Sequence, residues 1–124
     1  MFADPATLNM AGTPITLTKV NQDGYSTEYR LRNSLEEYRL NIRNSSYSDK
    51  KRGGSRVDRH NVEFVQEIFP VAPATASTIR KVYIVVENDA KDSVVNPPIN
   101  AAALCDFLTA NTRANLTKLM NWES

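Results

Sequence analysis

Three stretches alternate apolar and polar residues with a period of two: Glu37–Ser45, Arg59–Phe69 and Ile79–Glu87. In the first, Leu40 and Ile42 alternate with Arg39, Asn41 and Arg43. In the second, His60, Val62, Phe64 and Ile68 alternate with Arg59, Asn61, Glu63 and Glu67. In the third, Val82, Ile84 and Val86 alternate with Lys81, Tyr83 and Glu87. Side chains of a strand point alternately to opposite faces, so each stretch predicts a strand with one buried and one wet face.

The flanking segments extend this pattern. Ala6–Met10 and Ile15–Val20 surround Ala11-Gly12-Thr13-Pro14, which predicts an N-terminal hairpin over residues 1–22. Gln22-Asp23-Gly24 and Asn33-Ser34 read as turns around a strand Tyr25–Leu31. The basic, glycine-bearing run from Ser48 to Gly54 joins two long strands and predicts an exposed, mobile tip. Asn96-Pro97-Pro98 predicts a helix start, with Asn96 as the cap and proline in the first turn. Ile99, Ala103 and Phe107 then recur every four residues beside Leu104 and Leu108. A second short helix is expected over 115–122, bearing Leu116, Leu119, Met120 and Trp122.

The expected architecture is α+β: an N-terminal β-hairpin, an antiparallel meander of about five strands over 23–88, and two C-terminal helices within 96–124, all in one domain, 1–124. Helices of about fourteen and eight residues span on the order of 21 and 12 Å. They barely cover a five-stranded sheet about 24 Å wide. A symmetric dimer sharing one core is therefore the expected state.

Composition narrows the class. At 124 residues, 41% hydrophobic and 23% charged, the chain has an ordinary globular make-up. The single cysteine, Cys105, excludes an intrachain disulfide. The N-terminal residues do not read as a signal peptide, and no apolar run reaches the roughly 18–20 residues a membrane helix needs. Net charge is only +1, but Arg39 to Arg59 holds seven basic residues against two acidic ones. Positive charge is thus expected on one hairpin.

Catalytic signals are weak. His60, the one histidine, lies on the apolar side of its strand and reads as a packed, hydrogen-bonded group rather than a base. Cys105 reads as a buried, inert thiol. Gly53-Gly54 lacks phosphate-loop spacing and reads as a turn. Asp89 and Asp92 are candidate ligands for a cation at a subunit contact, although solvated loop acids are the plainer reading. No cofactor and no enzymatic activity are expected, and a bound cation between subunits is left open.

The wet face gathers more chemistry. Arg39, Asn41, Arg43 and Ser45 lie on one strand, Arg59 and Asn61 on the next, Lys81 and Tyr83 on the third. Arginine and lysine hold phosphates. Asparagine reads base edges, and tyrosine stacks an unpaired base. An RNA-binding face and a merely solvated face both fit this pattern, and Glu63 and Glu87 favour the second. The stretch Pro70-Val71-Ala72-Pro73-Ala74-Thr75-Ala76-Ser77 is short-chained and uncharged. It reads as a stiff hairpin loop or as a contact with another molecule.

Three further stretches decide between these readings. Val20-Asn21-Gln22-Asp23-Gly24-Tyr25-Ser26-Thr27-Glu28-Tyr29, Arg59-His60-Asn61-Val62-Glu63-Phe64 and Asn121-Trp122-Glu123-Ser124 resemble the coat proteins of single-stranded RNA bacteriophages of the levivirus type, that of a Caulobacter RNA phage in particular. The order of elements is similar over essentially the whole chain. The resemblance implies intertwined homodimers with one continuous sheet, a T=3 icosahedral capsid and a virion location, with assembly in the bacterial host cytoplasm and no membrane partner. It implies that the sheet binds single-stranded genomic RNA and a hairpin whose binding represses replicase translation. It places Arg39, Asn41, Arg43, Ser45, Arg59, Asn61, Lys81 and Tyr83 against RNA, with Tyr83 as the stacking residue. It makes Pro70 to Ser77 the loop at contacts between dimers. Arg59 and Asn61 replace the threonine and lysine of the best-known members, so the hairpin sequence does not carry over. The competing expectation is a dimeric RNA-binding regulator that forms no particles.

Overall fold

The computed structural model describes residues 1–124. Six strands follow one another: β1 Ala6–Met10, β2 Thr13–Gln22, β3 Ser26–Arg32, β4 Glu36–Asp49, β5 Ser55–Ile68 and β6 Thr78–Asp89. They form one antiparallel sheet in sequence order, followed by helix α1, Asn96–Met120. The meander is six-stranded, against the five expected, because β2 pairs with both β1 and β3 and so joins the N-terminal hairpin to the sheet.

The turns are made by side chains that replace missing backbone partners. Asp23 Oδ1 accepts from the N–H groups of Tyr25 and Ser26, both at 2.8 Å, before β3. Asn33 Oδ1 does the same for Leu35 and Glu36 before β4. These Asx turns are why Asp and Asn stand there. The β4–β5 tip is exposed, as expected, and local hydrogen bonds shape it. Asp49 caps a short 3-10 turn, Lys50–Arg52, and Gly53 and Gly54 follow at φ 71° and 81°, where a side chain would be strained. Arg52 is tied to Asp89 at 2.6 Å.

The core sits on the face of even-numbered β4 and β5 residues. Leu17, Tyr29, Tyr38, Leu40 and Ile42 form it, and Ala6, Leu8, Met10, Ile15, Leu31 and Phe64 pack against it. The sheet curls so that β1–β2 cover this cluster. Tyr38 and Phe64 stack with ring centroids 5.9 Å apart. The hydroxyl of Tyr29 donates to the Ala3 carbonyl at 2.7 Å, and that of Tyr38 to Glu36. Burial raises the ionisation of both phenols above the ordinary value of 10.0. The neutral phenol is favoured in the folded state, so its contribution is full below pH 10 and is lost as pH rises through the folded value. Tyr29→Phe is expected to show less loss of stability between about pH 9 and 11, read from urea midpoints across that range. An unchanged pH profile contradicts the assignment.

This core is small. Only 9 of 124 residues are buried, and the chain exposes 9352 Å². A compact monomer of 13.9 kDa exposes on the order of 6,700 Å². The excess lies where the even face continues bare: Val62, Val82 and Ile84 are exposed on β5 and β6. The helix matches it, with no buried residue while Ile99, Leu104, Phe107 and Leu119 face solvent. The strand β6 is also a free sheet edge.

The two expected helices are one element with a break inside it. Ala110 leaves helical geometry, and Asn111, Thr112 and Arg113 adopt left-handed backbone with φ between 53° and 65°. The Asn115 side chain spans the break and donates to the Phe107 carbonyl at 2.7 Å. At the start, Asn96 is helical rather than capping. Ser93 Oγ accepts from its N–H instead, at 3.1 Å.

Candidate nucleic-acid interface

The register places all eight predicted contact residues on one face. Asn41 is opposite Glu63, which is opposite Tyr83. Arg43 is opposite Asn61, and Ser45 opposite Arg59. Arg39 and Lys81 flank Val65 from either side. Directly opposed residues of an antiparallel sheet project to the same side. The group therefore forms a patch about 20 Å long, facing away from the core and from the bare apolar surface.

The electrostatics differ from the positive patch expected. Arg30, Arg32, Arg39, Arg43, Arg59 and Lys81 share this face with Glu28, Glu37, Asp49, Glu63, Glu67, Glu87 and Asp89, six basic charges against seven acidic ones. Most are paired. Arg39 lies 3.4 Å from Glu37 and 3.7 Å from Glu67. Lys81 lies 3.5 Å from Glu63, which also accepts from Asn41 at 3.2 Å. Arg59 lies 3.6 Å from Glu87. The basic run in the sequence loses its excess because neighbouring strands supply acids in register. Part of the run points elsewhere: Arg56 pairs with Asp58 on the opposite face, and Lys50 and Lys51 lie at the tip. Of these, the Arg59–Glu87 pair is exposed on both sides and contributes little stability, on the order of 0–1 kcal/mol, whereas Glu37 is buried.

Four members of the patch, Arg43, Ser45, Asn61 and Tyr83, make no side-chain hydrogen bond or ion pair. Arg43 makes no ion pair with any carboxylate, although it is exposed. Asn61 holds its Oδ1 out of solvent with no hydrogen-bond partner. Tyr83 presents its ring to solvent, 62% exposed. Sequence reasoning missed the segment beside Arg43. Asp23, Gly24, Tyr25 and Ser26 form one wall of a cleft that Arg43, Ser45, Arg59 and Asn61 complete. Three donors from Tyr25 and Ser26 hold the Asp23 carboxyl below its ordinary value, so it stays charged. An aromatic residue directly after the Asp-Gly turn was the available signal.

Other candidates fall outside this patch. His60 bridges Asn44 and Asn88 on the even face, at 2.7 and 3.1 Å, hydrogen-bonded as expected but exposed in the single chain. Cys105 is half-buried, not buried. Asp89 is taken by Arg52, Asp92 accepts from the Ser93 N–H, and no cluster of three metal-ligating side chains forms. Pro70 to Ser77 is exposed throughout, with Ala74 N–H closing a turn on Val71 and the Ser77 hydroxyl donating to Glu67 of β5 at 3.2 Å.

The structure is thus a single curled meander with a trailing kinked helix, polar on one face and bare apolar on the other. The coat protein of bacteriophage EMS014 superposes with a TM-score of 0.76 at 12% identity, covering 99% of this chain and 98% of that one. The virus-like particle of Beihai levi-like virus 21 gives 0.65 at 22% identity, covering 97% and 94%. The virus-like particle of bacteriophage ESE058 gives 0.65 at 14%, covering 90% and 91%. Residues 3–89 match the family model described as the phage phiCb5 coat protein, and the chain belongs to that family. It is a phage capsid protein. No curated protein sequence matches it.

Proposed function

We propose that this chain forms intertwined homodimers that assemble into an icosahedral shell around single-stranded genomic RNA. The observation that carries this is the division of the sheet into two faces. The even face, bare over Val62, Val82 and Ile84, and the bare stripe of α1 complement each other when exchanged between two copies. The excess exposure, roughly 2,700 Å² per chain, falls in the range of obligate homodimers. Pairing of two β6 edges continues the sheet and removes an open edge.

The odd face then remains open for RNA. Arg39, Arg43, Arg59 and Lys81 serve phosphates, Asn41, Ser45 and Asn61 serve base edges, and Tyr83 stacks a base. The same face would hold a replicase-start hairpin and repress translation. Pro70 to Ser77 meets other dimers around the symmetry axes, and assembly takes place in the bacterial cytoplasm. Negative-stain electron microscopy with nuclease protection, on protein from a bacterial expression host, tests this. Uniform closed shells with nuclease-resistant RNA are expected. Dimers alone, at high concentration with RNA added, would refute assembly and leave a dimeric RNA-binding regulator.

A further inference from the structure

The C-terminal end of α1 carries a strained aromatic residue. Trp122 N–H donates to the Leu119 carbonyl at 3.1 Å and Glu123 N–H to that of Lys118 at 3.0 Å, which wraps the last helical turn shut. The wrap holds Trp122 at φ 62°, a left-handed position where helices commonly end in glycine. A bulky side chain is disfavoured there unless its ring is needed. Within the chain the ring has almost nothing against it: it is 95% exposed, and it is the one tryptophan present.

An apolar hollow lies at the opposite end of α1. Val86 of β6 lines it with Val94, Pro97, Pro98 and Ala101, and its volume is 370 Å³, within the range of sites that enclose a ring system. Val94 stands on its rim, 90% exposed. The polar corner of the hollow, His60 and Asn88, is short of one proton donor. His60 faces Asn44 Oδ1 with Nδ1, at 2.7 Å, and Asn88 Oδ1 with Nε2, at 3.1 Å. Both amides are held in this orientation, because their NH2 groups donate to the carbonyls of Tyr25 and Asp89, at 3.3 and 3.2 Å. A neutral imidazole donates from one nitrogen only. With that proton on the shorter contact, Asn88 Oδ1 meets a lone pair and lacks a donor.

We propose that Trp122 anchors the homodimer by entering this hollow on a second copy. The indole ring packs against the partner's Val86 and Pro97, and its Nε1–H donates to the partner's Asn88. Its own hollow is out of reach, since the segment after the break packs beside Phe107 and Leu108, about 15 Å along the helix from Pro97. A second copy is the occupant that the exposed surface requires. The excess of roughly 2,700 Å² per chain lies on α1 and on the even face, which runs from the hollow at Val86 through Ile84 to Val82. Two-fold symmetry fills both hollows at once. A tryptophan with its N–H satisfied in an apolar seat has the make-up of an interface hot spot. The proposal rests on the homodimer reading and adds to it the anchoring residue and the seat that receives it.

The single tryptophan makes the test direct. Tryptophan emission and sedimentation of the purified coat protein are followed together through a urea series at several protein concentrations. In the dimer the emission should lie at shorter wavelength than in the dissociated chain, with weaker quenching by acrylamide. Trp122→Gly separates anchoring from a local role, because the two act in opposite directions. Glycine relieves the backbone at φ 62° and would stabilise a chain whose ring merely ends a helix. Loss of the anchor should instead raise the dissociation constant at least about 30-fold, the size of one hot spot. Val94→Asp puts a carboxylate on the rim of the seat and should move the dimer's emission to longer wavelength. Both positions are exposed, and circular dichroism checks that the variants fold. Solvent-like emission from the parent dimer, a Trp122→Gly dimer as tight as the parent, or unchanged emission in Val94→Asp overturns the anchor and leaves the dimer standing. A parent chain that stays monomeric overturns both.

Discussion

Phe107→Ala is expected to abolish the soluble dimer. In the single chain Phe107 is 61% exposed, and α1 carries no buried residue at all. Removing it costs the isolated chain little, since most of the ring faces solvent there. In the proposed dimer the ring would be buried against the partner, and its removal would cost about 3–5 kcal/mol per site. Two-fold symmetry applies that cost twice. A core built on Leu17, Tyr29, Tyr38, Leu40 and Ile42 alone leaves little margin to absorb it. Ile84→Asp tests the opposite surface. Ile84 is exposed in the chain, yet a carboxylate there would be buried under the partner's helix. Sedimentation equilibrium and urea denaturation read both variants. A normal dimer of unchanged stability in either case refutes exchange of helices over the partner's sheet.

The same surface explains which parts of the fold were legible in the sequence. Alternation located β4, β5 and β6 because each strand has one face against the apolar side and one against water, so a period of two is written into its residues. It located their shared face for the same reason: the register Asn41, Glu63, Tyr83 follows from adjacent hairpins in sequence order. The break in α1 at Asn111–Arg113 was legible as the end of one apolar stripe and the start of another, although no glycine or proline marks it. What periodicity does not carry is what stands opposite. Charge counted along the chain made Arg39–Arg59 strongly basic, whereas the acids that offset it come from Glu67 on the same hairpin and from Glu87 on the next strand. His60 was assigned to a packed environment on the basis of its face, and in one chain that face is open. Only a second copy laid on this face, as proposed, would bury it, and no single sequence pattern displays that.

The charge balance of the odd face gives the second large effect, and its sign is opposite to that of a usual binding-site mutation. Glu63→Gln combined with Glu87→Gln is expected to strengthen RNA binding. Glu63 holds Lys81 at 3.5 Å and Glu87 holds Arg59 at 3.6 Å. Glutamine is nearly the same size and keeps an oxygen for the Asn41 side chain that Glu63 now accepts from. The fold is therefore little disturbed, because the Arg59–Glu87 pair is exposed and worth little and the glutamine at 63 keeps its shape and its bond to Asn41. The electrostatics change more. Two cations lose their internal anions and become free to take phosphates. Each such contact on single-stranded nucleic acid steepens the dependence of log K on log salt by about 0.7. Two contacts steepen it by about 1.4, so the advantage over the parent grows by on the order of 25-fold between 1 M and 0.1 M salt. The gain should be the same for decauridylate and for mixed sequences, since phosphates carry no sequence information. Fluorescence anisotropy across a salt series measures the slope. A parental slope in the double variant would mean that RNA does not lie along this face, because no route remains by which a chain crossing Lys81 and Arg59 could ignore their release.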